Sequence, residues 1–195
     1  TLSLHDALPI WPILEVLRGA FSSSTQVLEI GSGTGEHAAF FAGMLPHLVW
    51  QPTDVPAHLP GIAAWRDAVA LPNLRVPLAL DVDAGEWPVT EADAVFTSNT
   101  LHIMSWASVG HFFEGIGRVL RPGGVLAVYG PFSDDGKHTA ESNARFDAFL
   151  RERDPLSGVR DWQAVDGLAK KQGLSLTGDH AMPANNRMLI WRHIL

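Results

Sequence analysis

The run Glu29-Ile30-Gly31-Ser32-Gly33-Thr34-Gly35-Glu36 constrains this chain more than any other feature. It follows Gln26 to Ile30, a short apolar segment that reads as a buried strand. It leads into Glu36 to Leu45, where Ala38, Phe41, Ala42 and Leu45 fall on one helical face. A strand that enters a helix through alternating glycines needs backbone angles that side chains forbid, and its main chain stays open to close approach. Such a turn belongs at the carboxyl edge of a parallel sheet, where the ligands of open α/β proteins bind.

The rest of the chain repeats the alternation. Ile13 to Ala20 forms a leading helix behind Pro12, a residue suited to a first helical turn. Strands are expected at Leu48 to Thr53, Leu74 to Leu80 and Ala92 to Ser98, with a helix over Ile62 to Val69. Trp106, Val109, Phe113, Ile116 and Leu120 recur at helical spacing, and Pro122-Gly123-Gly124 stops that helix before Val125 to Tyr129 resumes as strand. Phe146, Phe149 and Leu150 stripe a further helix, supported by Glu141/Arg145 and Asp147/Arg151 pairs. A helix over Trp162 to Lys171 and strands near Leu174 to Asp179 and Met188 to His193 complete the series, and the Phe and Trp stripes are expected in the core. The pattern predicts a single-domain, doubly wound, Rossmann-like α/β fold: a mostly parallel seven-stranded sheet with one antiparallel strand near the C-terminus.

Composition narrows the function. The 195 residues are 46% hydrophobic, enough for one compact core. With 14 basic against 21 acidic residues the net charge is −7, so no positive field draws the protein to nucleic acid. The longest uncharged stretch, Ala94 to Phe113, is too polar for a membrane span. The absence of cysteine excludes disulfides and a thiolate nucleophile, and a reducing cytoplasm is the default compartment. The histidines show no ligand spacing, so no metal site is inferred. No internal domain boundary is expected: residues 1–10 look like a foreign leader, of the kind a translated sequencing adapter gives, and residues 11–195 are expected to form one domain. The sequence leaves the oligomeric state open.

A dinucleotide fingerprint needs Gly-x-Gly-x-x-Gly, and from Gly31 its third glycine falls on Glu36. A negative side chain there suits a pyrophosphate poorly, so an NAD(P)-dependent oxidoreductase becomes the alternative. The acid-x-Gly-x-Gly-x-Gly form resembles motif I of the class I S-adenosylmethionine methyltransferases. Glu29 is expected to aim its carboxylate into the crevice, toward the cationic end of that cofactor, beside Gly31, Ser32, Gly33 and Gly35. Asp54, closing the second strand, is the expected acceptor of the ribose hydroxyls, and Asp81, closing the third, faces the adenine amine. Beyond the fourth strand Asn99 can orient an acceptor and His102 can take its proton.

The later motifs sharpen the resemblance. Asn99-x-x-His102 joins Tyr129-Gly130-Pro131-Phe132, Ser142-Asn143, Phe146-Asp147, Arg153-Asp154-Pro155, Gly158-x-Arg160-Asp161 and Met182-Pro183-Ala184-Asn185-Asn186. This set is similar to the methyltransferase-like protein 26 family, from about Pro12 to the C-terminus. The resemblance implies a class I methyltransferase fold with S-adenosylmethionine held by Glu29, Gly31, Gly33, Asp54 and Asp81, and it supplies no acceptor. The chain departs from the family in two places: Pro9-Ile10-Trp11 replace its usual Arg-Asn-Lys, and Pro56 replaces a second acid, leaving ribose recognition to Asp54.

Tyr129, Asn143, Arg153, Arg160, Asp161, Asn185 and Asn186 form a second polar cluster that can close over the acceptor, the arginines suiting a carboxylate or phosphate. The competing reading pairs Arg153 with Asp154 and Arg160 with Asp161 as struts. The expected activity is methyl transfer from S-adenosylmethionine to a small polar acceptor. A cofactor-binding scaffold without turnover is the non-enzymatic alternative.

Overall fold

The structure, a computed structural model, describes residues 10–194. Helix α1 (Ile10–Ala20) buries Ile10, Ile13, Leu14 and Leu17 along one stripe. Ile10, expected in the leader, is thus part of the core, and residues 1–9 of that leader lie outside the described residues. The helix begins ahead of the expected Ile13 because Pro12 sits within its first turn, where a missing N–H costs no hydrogen bond.

After α1 the chain alternates: β1 (Gln26–Ile30), α2 (Glu36–Met44), β2 (Val49–Asp54), a 3-10 turn at Pro56–His58, α3 (Leu59–Val69), β3 (Leu78–Ala79) and β4 (Ala92–Ser98). Then follow α4 (Trp106–Val119), β5 (Leu120–Gly130), β6 (Phe132–Asp134), β7 (Lys137–His138), α5 (Glu141–Arg153), β8 (Arg160–Asp161), α6 (Trp162–Lys171), β9 (Leu174–Met182) and β10 (Asn186–His193). The main sheet has seven strands in the order β3-β2-β1-β4-β5-β10-β9. Strand β10 pairs antiparallel with both β5 and β9 and is the strand that reverses, as expected. One core, with Leu14, Phe41, Trp50 and Phe96, lies under α1 and α2; the other, with Phe113, Leu126, Val165 and Trp191, lies under α4 and α6. The chain starts in the middle of the sheet, runs out to β3 and returns past β1 to β4, so the strand order switches between β1 and β4.

Several local expectations are corrected. The third strand shrinks to Leu78–Ala79 with an isolated bridge from Leu74 to Trp50, because Pro77 lacks the N–H that a continuous ladder requires. Pro122-Gly123-Gly124 does not stop α4; the helix ends at Val119, Leu120 already pairs with Ala92, and the Pro-Gly-Gly segment bulges from β5 before Val125 rejoins opposite Ala94. Trp106 and Phe149, expected in the core, are 43% and 49% exposed because each lies on the outer face of its helix. A second small sheet, β7-β6-β8, has no counterpart in the sequence reading, its strands being too short to show a period. The Glu141/Arg145 and Asp147/Arg151 pairs form as expected.

Candidate active site

Loops leaving β1 and β4 part at the carboxyl edge of the sheet and leave a crevice of about 570 Å³, a volume in the range of small-molecule sites. Gly31 and Gly33 from the first loop, Asp54 and His58 beyond β2, and Asp81 beyond β3 line it, facing Ser98 and Asn99 from β4. The structure therefore brings together Gly31, Gly33, Asp54, Asp81 and Asn99 from the expected set.

Asp54 straps the glycine turn to the end of β2. One carboxylate oxygen accepts the Gly33 N–H at 2.7 Å; the other accepts the Val55 N–H at 2.7 Å and a nitrogen of the His58 ring at 2.9 Å. Gly33 has φ +58° and open space where a side chain would stand, whereas Gly35, at φ +91°, packs so closely on α3 that a Cβ would lie 2.7 Å from the Ile62 Cα. Gly33 thus serves the crevice and Gly35 the fold.

Glu29 does not point into the crevice. Its carboxylate is buried under the turn, accepting the Trp50 indole N–H at 3.0 Å and the Ser32 hydroxyl at 2.9 Å. Burial raises its pKa to about 7, with the Asp54 charge adding to the rise and the two hydrogen bonds opposing it. Glu29 turns inward because the indole of Trp50, fully buried on the neighbouring strand, needs an acceptor. Ser32 joins it beneath the turn, its hydroxyl also accepting the Thr53 N–H at 3.2 Å.

On the far rim the Asp81 side chain accepts the Asp83 N–H at 2.9 Å. Asp83 accepts the His111 ring at 2.8 Å and the Ser108 hydroxyl at 2.9 Å, and these partners, His111 first, hold its carboxyl below the usual range. Asn99 is exposed in a left-handed conformation, φ +55°, that asparagine tolerates better than most residues; its N–H donates to the Tyr129 carbonyl at 2.9 Å.

The other expected acceptor residues are placed behind or beside this wall. The His102 ring is buried edge-on against Phe146 at 5.2 Å, and burial, then the Arg160 charge, push its pKa down to about 4. Tyr129 is buried, with its hydroxyl accepting from Asn186 at 2.9 Å and its pKa raised by that burial. The Asn143 amide donates to the Asn185 carbonyl at 3.0 Å, and the Asn185 amide to the Ser142 hydroxyl at 3.1 Å, so these groups close on one another. The Arg153 guanidinium lies over the exposed Phe149 ring.

Arg160 donates to the carbonyls of Leu101 at 3.2 Å, Leu156 at 2.8 Å and Met104. The Gly158 N–H takes the His102 carbonyl at 2.8 Å and the Ser157 hydroxyl the Ile103 carbonyl at 3.0 Å. All four carbonyls from Leu101 to Met104 are thereby held by the Ser157–Arg160 segment. Neither expected Arg–Asp pair forms among the described residues: Asp161 instead caps α6 by accepting the Gln163 and Ala164 N–H groups.

The sequence reading missed His58, which lies on the 3-10 turn, and the apolar wall of Leu80, Val82, Ile103 and Met104. It also missed Ser98, whose hydroxyl is covered yet has no hydrogen-bond partner. The signal available for Ser98 was its place as the last residue of a strand delivering its chain to the crevice. Among the described residues no group of three or more His, Asp or Glu side chains could hold a metal, and no helix is long and apolar enough to cross a membrane.

The sheet order, the glycine turn after its first strand and the acid closing its second define a Rossmann-like methyltransferase fold. The chain belongs to the family described as "Protein of unknown function (DUF938)", which matches residues 10–193. In three dimensions it is similar to an O-methyltransferase family protein from Burkholderia thailandensis, with a TM-score of 0.81 and 19% identity over 94% of this chain and 55% of that one. It is also similar to an O-methyltransferase family 2 protein from Planctomyces limnophilus, with a TM-score of 0.83 and 16% identity over 95% of this chain and 56% of that one. Human N-acetylserotonin methyltransferase is a third such structure, with a TM-score of 0.71 and 17% identity over 95% of this chain and 55% of that one. The chain therefore spans little more than half the length of these solved proteins.

Proposed function

We propose that this chain binds S-adenosylmethionine in the crevice and transfers its methyl group to a small acceptor. The observation that carries this reading is the strap from Asp54 to the Gly33 N–H at the β1/β4 switch point, which fixes a glycine turn beside a carboxylate able to receive a ribose diol. The open space at Gly33 and the unpartnered Ser98 hydroxyl fit a ligand that brings its own polar groups. The solved human relative is a complex with S-adenosylmethionine, and the Planctomyces relative a complex with apigenin, which supports a cofactor and a small acceptor of these classes. Membership of the methyltransferase-like protein 26 family is part of the same reading and rests on the Asn99 to Asn186 motifs.

Asp54 would accept the ribose hydroxyls in place of His58, and Asp81 with the wall of Leu80, Val82, Ile103 and Met104 would hold the adenine. When bound, the cofactor supplies a methyl group already activated on a sulfonium. The remaining work falls to the chain: alignment of the acceptor and exclusion of water. Asn99, whose N–H donates to the Tyr129 carbonyl, would orient the acceptor. Arg160 is committed to carbonyls and Arg153 to Phe149, so a neutral acceptor fits better than an anionic one.

Thermal melting with S-adenosylhomocysteine, NAD and NADP tests the cofactor. The homocysteine derivative should raise the melting temperature and the dinucleotides should not, because a ligand that binds the native state stabilises it. The reverse ranking overturns the proposal. Release of S-adenosylhomocysteine on turnover separates an enzyme from a scaffold.

A further inference from the structure

Two sequence motifs that the cofactor reading leaves without a role, Phe146-Asp147 and Gly158-x-Arg160, meet in the structure. The Asp147 carboxylate, buried on α5, accepts the Val159 N–H at 2.7 Å through one oxygen and the Arg151 Nε–H at 2.9 Å through the other, with a ring nitrogen of His138 on β7 at 3.5 Å. Burial opposes its charge, but the Arg151 hydrogen bond, the Val159 N–H and the charges of Arg151 and His138 outweigh that and hold its pKa below the ordinary aspartate value. The packing is close: a Cβ at Gly158 would lie 2.9 Å from the Asp147 carboxylate and 2.7 Å from the Arg151 guanidinium.

Val159 stands in the middle of the segment that holds the crevice wall. Before it, the Gly158 N–H and the Ser157 hydroxyl donate to the carbonyls of His102 and Ile103; after it, Arg160 serves those of Leu101 and Met104. Ile103 and Met104 are themselves part of the crevice lining, whereas Asp147 is not. Phe146, one residue before Asp147, packs edge-on against the His102 ring at 5.2 Å, so α5 meets the same loop twice. Val159 is buried, so without the carboxylate its N–H would have to shift to find water or another acceptor, and the clamps on either side would shift with it.

We propose that Asp147 is a positioning residue for the crevice: by holding the Val159 N–H it sets the Ser157–Arg160 segment, which in turn sets where Ile103 and Met104 stand against the cofactor. This rests on the methyltransferase reading above. A residue that only tied α5 to the domain would lower the melting temperature and leave the affinity of the folded protein unchanged. A positioning residue changes the affinity as well.

The test is calorimetric titration of S-adenosylhomocysteine into the folded variants, well below their melting temperatures. Asp147→Ala should bind about tenfold more weakly than the parent, whereas Asp147→Asn, which keeps an oxygen for the Val159 N–H and loses the charge, should stay within about threefold. Gly158→Ala crowds the same carboxylate and should weaken binding in the same direction, and it decides the matter if Asp147→Ala does not fold. An Asp147→Ala protein that melts lower but binds like the parent overturns the proposal. So does an Asp147→Asn protein as weak as Asp147→Ala, or a Gly158→Ala protein of unchanged affinity. Hydrogen exchange without ligand is the second readout: the Gly158 amide should exchange about tenfold faster in Asp147→Ala and near the parent rate in Asp147→Asn. If S-adenosylhomocysteine fails to stabilise the parent, the cofactor reading fails by itself, and unchanged Gly158 exchange in Asp147→Ala then overturns the clamp separately.

Discussion

The Trp50 indole donates to the Glu29 carboxylate across 3.0 Å, joining β2 to β1 beneath the glycine turn. The acid of the turn is thereby a strut whose proton, held to about pH 7, is coupled to the stability of the fold. A carboxyl with a folded pKa above its unfolded value binds its proton more tightly in the native state. Its contribution to stability is therefore lost as pH rises from about 4.5 to above 7.

Glu29→Gln should remove that dependence. The parent should lose about 3 kcal/mol between pH 4.5 and pH 8 through this group, and Glu29→Gln, which cannot ionise, should equal or exceed the parent at pH 8 and show a flatter profile. Urea denaturation at both pH values measures the difference. A parent whose stability rises over that range while the variant's falls would contradict the burial argument.

The architecture was legible because hydrophobic spacing and turn residues carry it. The glycine turn, the strand ends at Asp54 and Ser98, and the reversed last strand all follow from local pattern. What stayed hidden depends on partners distant in sequence. Glu29 turns inward because an indole stands opposite it on the next strand, and Arg160 reaches carbonyls 56 and 59 residues away. Carbonyls are common to every residue, so no motif announces them as partners, and an arginine in a polar cluster reads as an anion site until the backbone around it is known.

Arg160→Ala should test the strut. Losing a buried guanidinium that serves the carbonyls of Leu101, Met104 and Leu156 should cost about 2–4 kcal/mol, and Arg160→Lys should recover little because one ammonium cannot span the same acceptors. Urea denaturation gives the cost. Faster hydrogen exchange at the Gly158 amide, which donates to the His102 carbonyl, reports loosening of the crevice wall. Full stability in Arg160→Ala would return this side chain to the candidates for ligand binding.

Asp54→Ala should separate binding from the strap. S-adenosylhomocysteine affinity should fall by roughly 1–3 kcal/mol, as for lost charge-assisted hydrogen bonds, and melting should also drop because the Gly33 and Val55 N–H groups lose their acceptor. His58→Ala frees one carboxylate oxygen, so calorimetry should find affinity equal to or above that of the parent. Weaker binding in His58→Ala would make the ring a cofactor contact instead of a displaced partner.

Alanine at Gly33 and at Gly35 should fail in opposite ways, although the residues are two apart in one turn and both have positive φ. At Gly33 the added methyl meets nothing, so the fold should lose only the left-handed strain, about 1–2 kcal/mol. The methyl would stand where the main chain must approach a ligand, and S-adenosylhomocysteine affinity should fall about tenfold, or 1.4 kcal/mol. At Gly35 the methyl would meet the Ile62 main chain at 2.7 Å, which cannot move aside without shifting α3. Overpacking then adds to the strain for roughly 2–5 kcal/mol in all, measured as a lowered urea midpoint. Whatever Gly35→Ala protein remains folded should bind the cofactor more nearly like the parent than Gly33→Ala does. The opposite pattern, a stable Gly35→Ala and a Gly33→Ala with unchanged affinity, would move the ligand away from this turn.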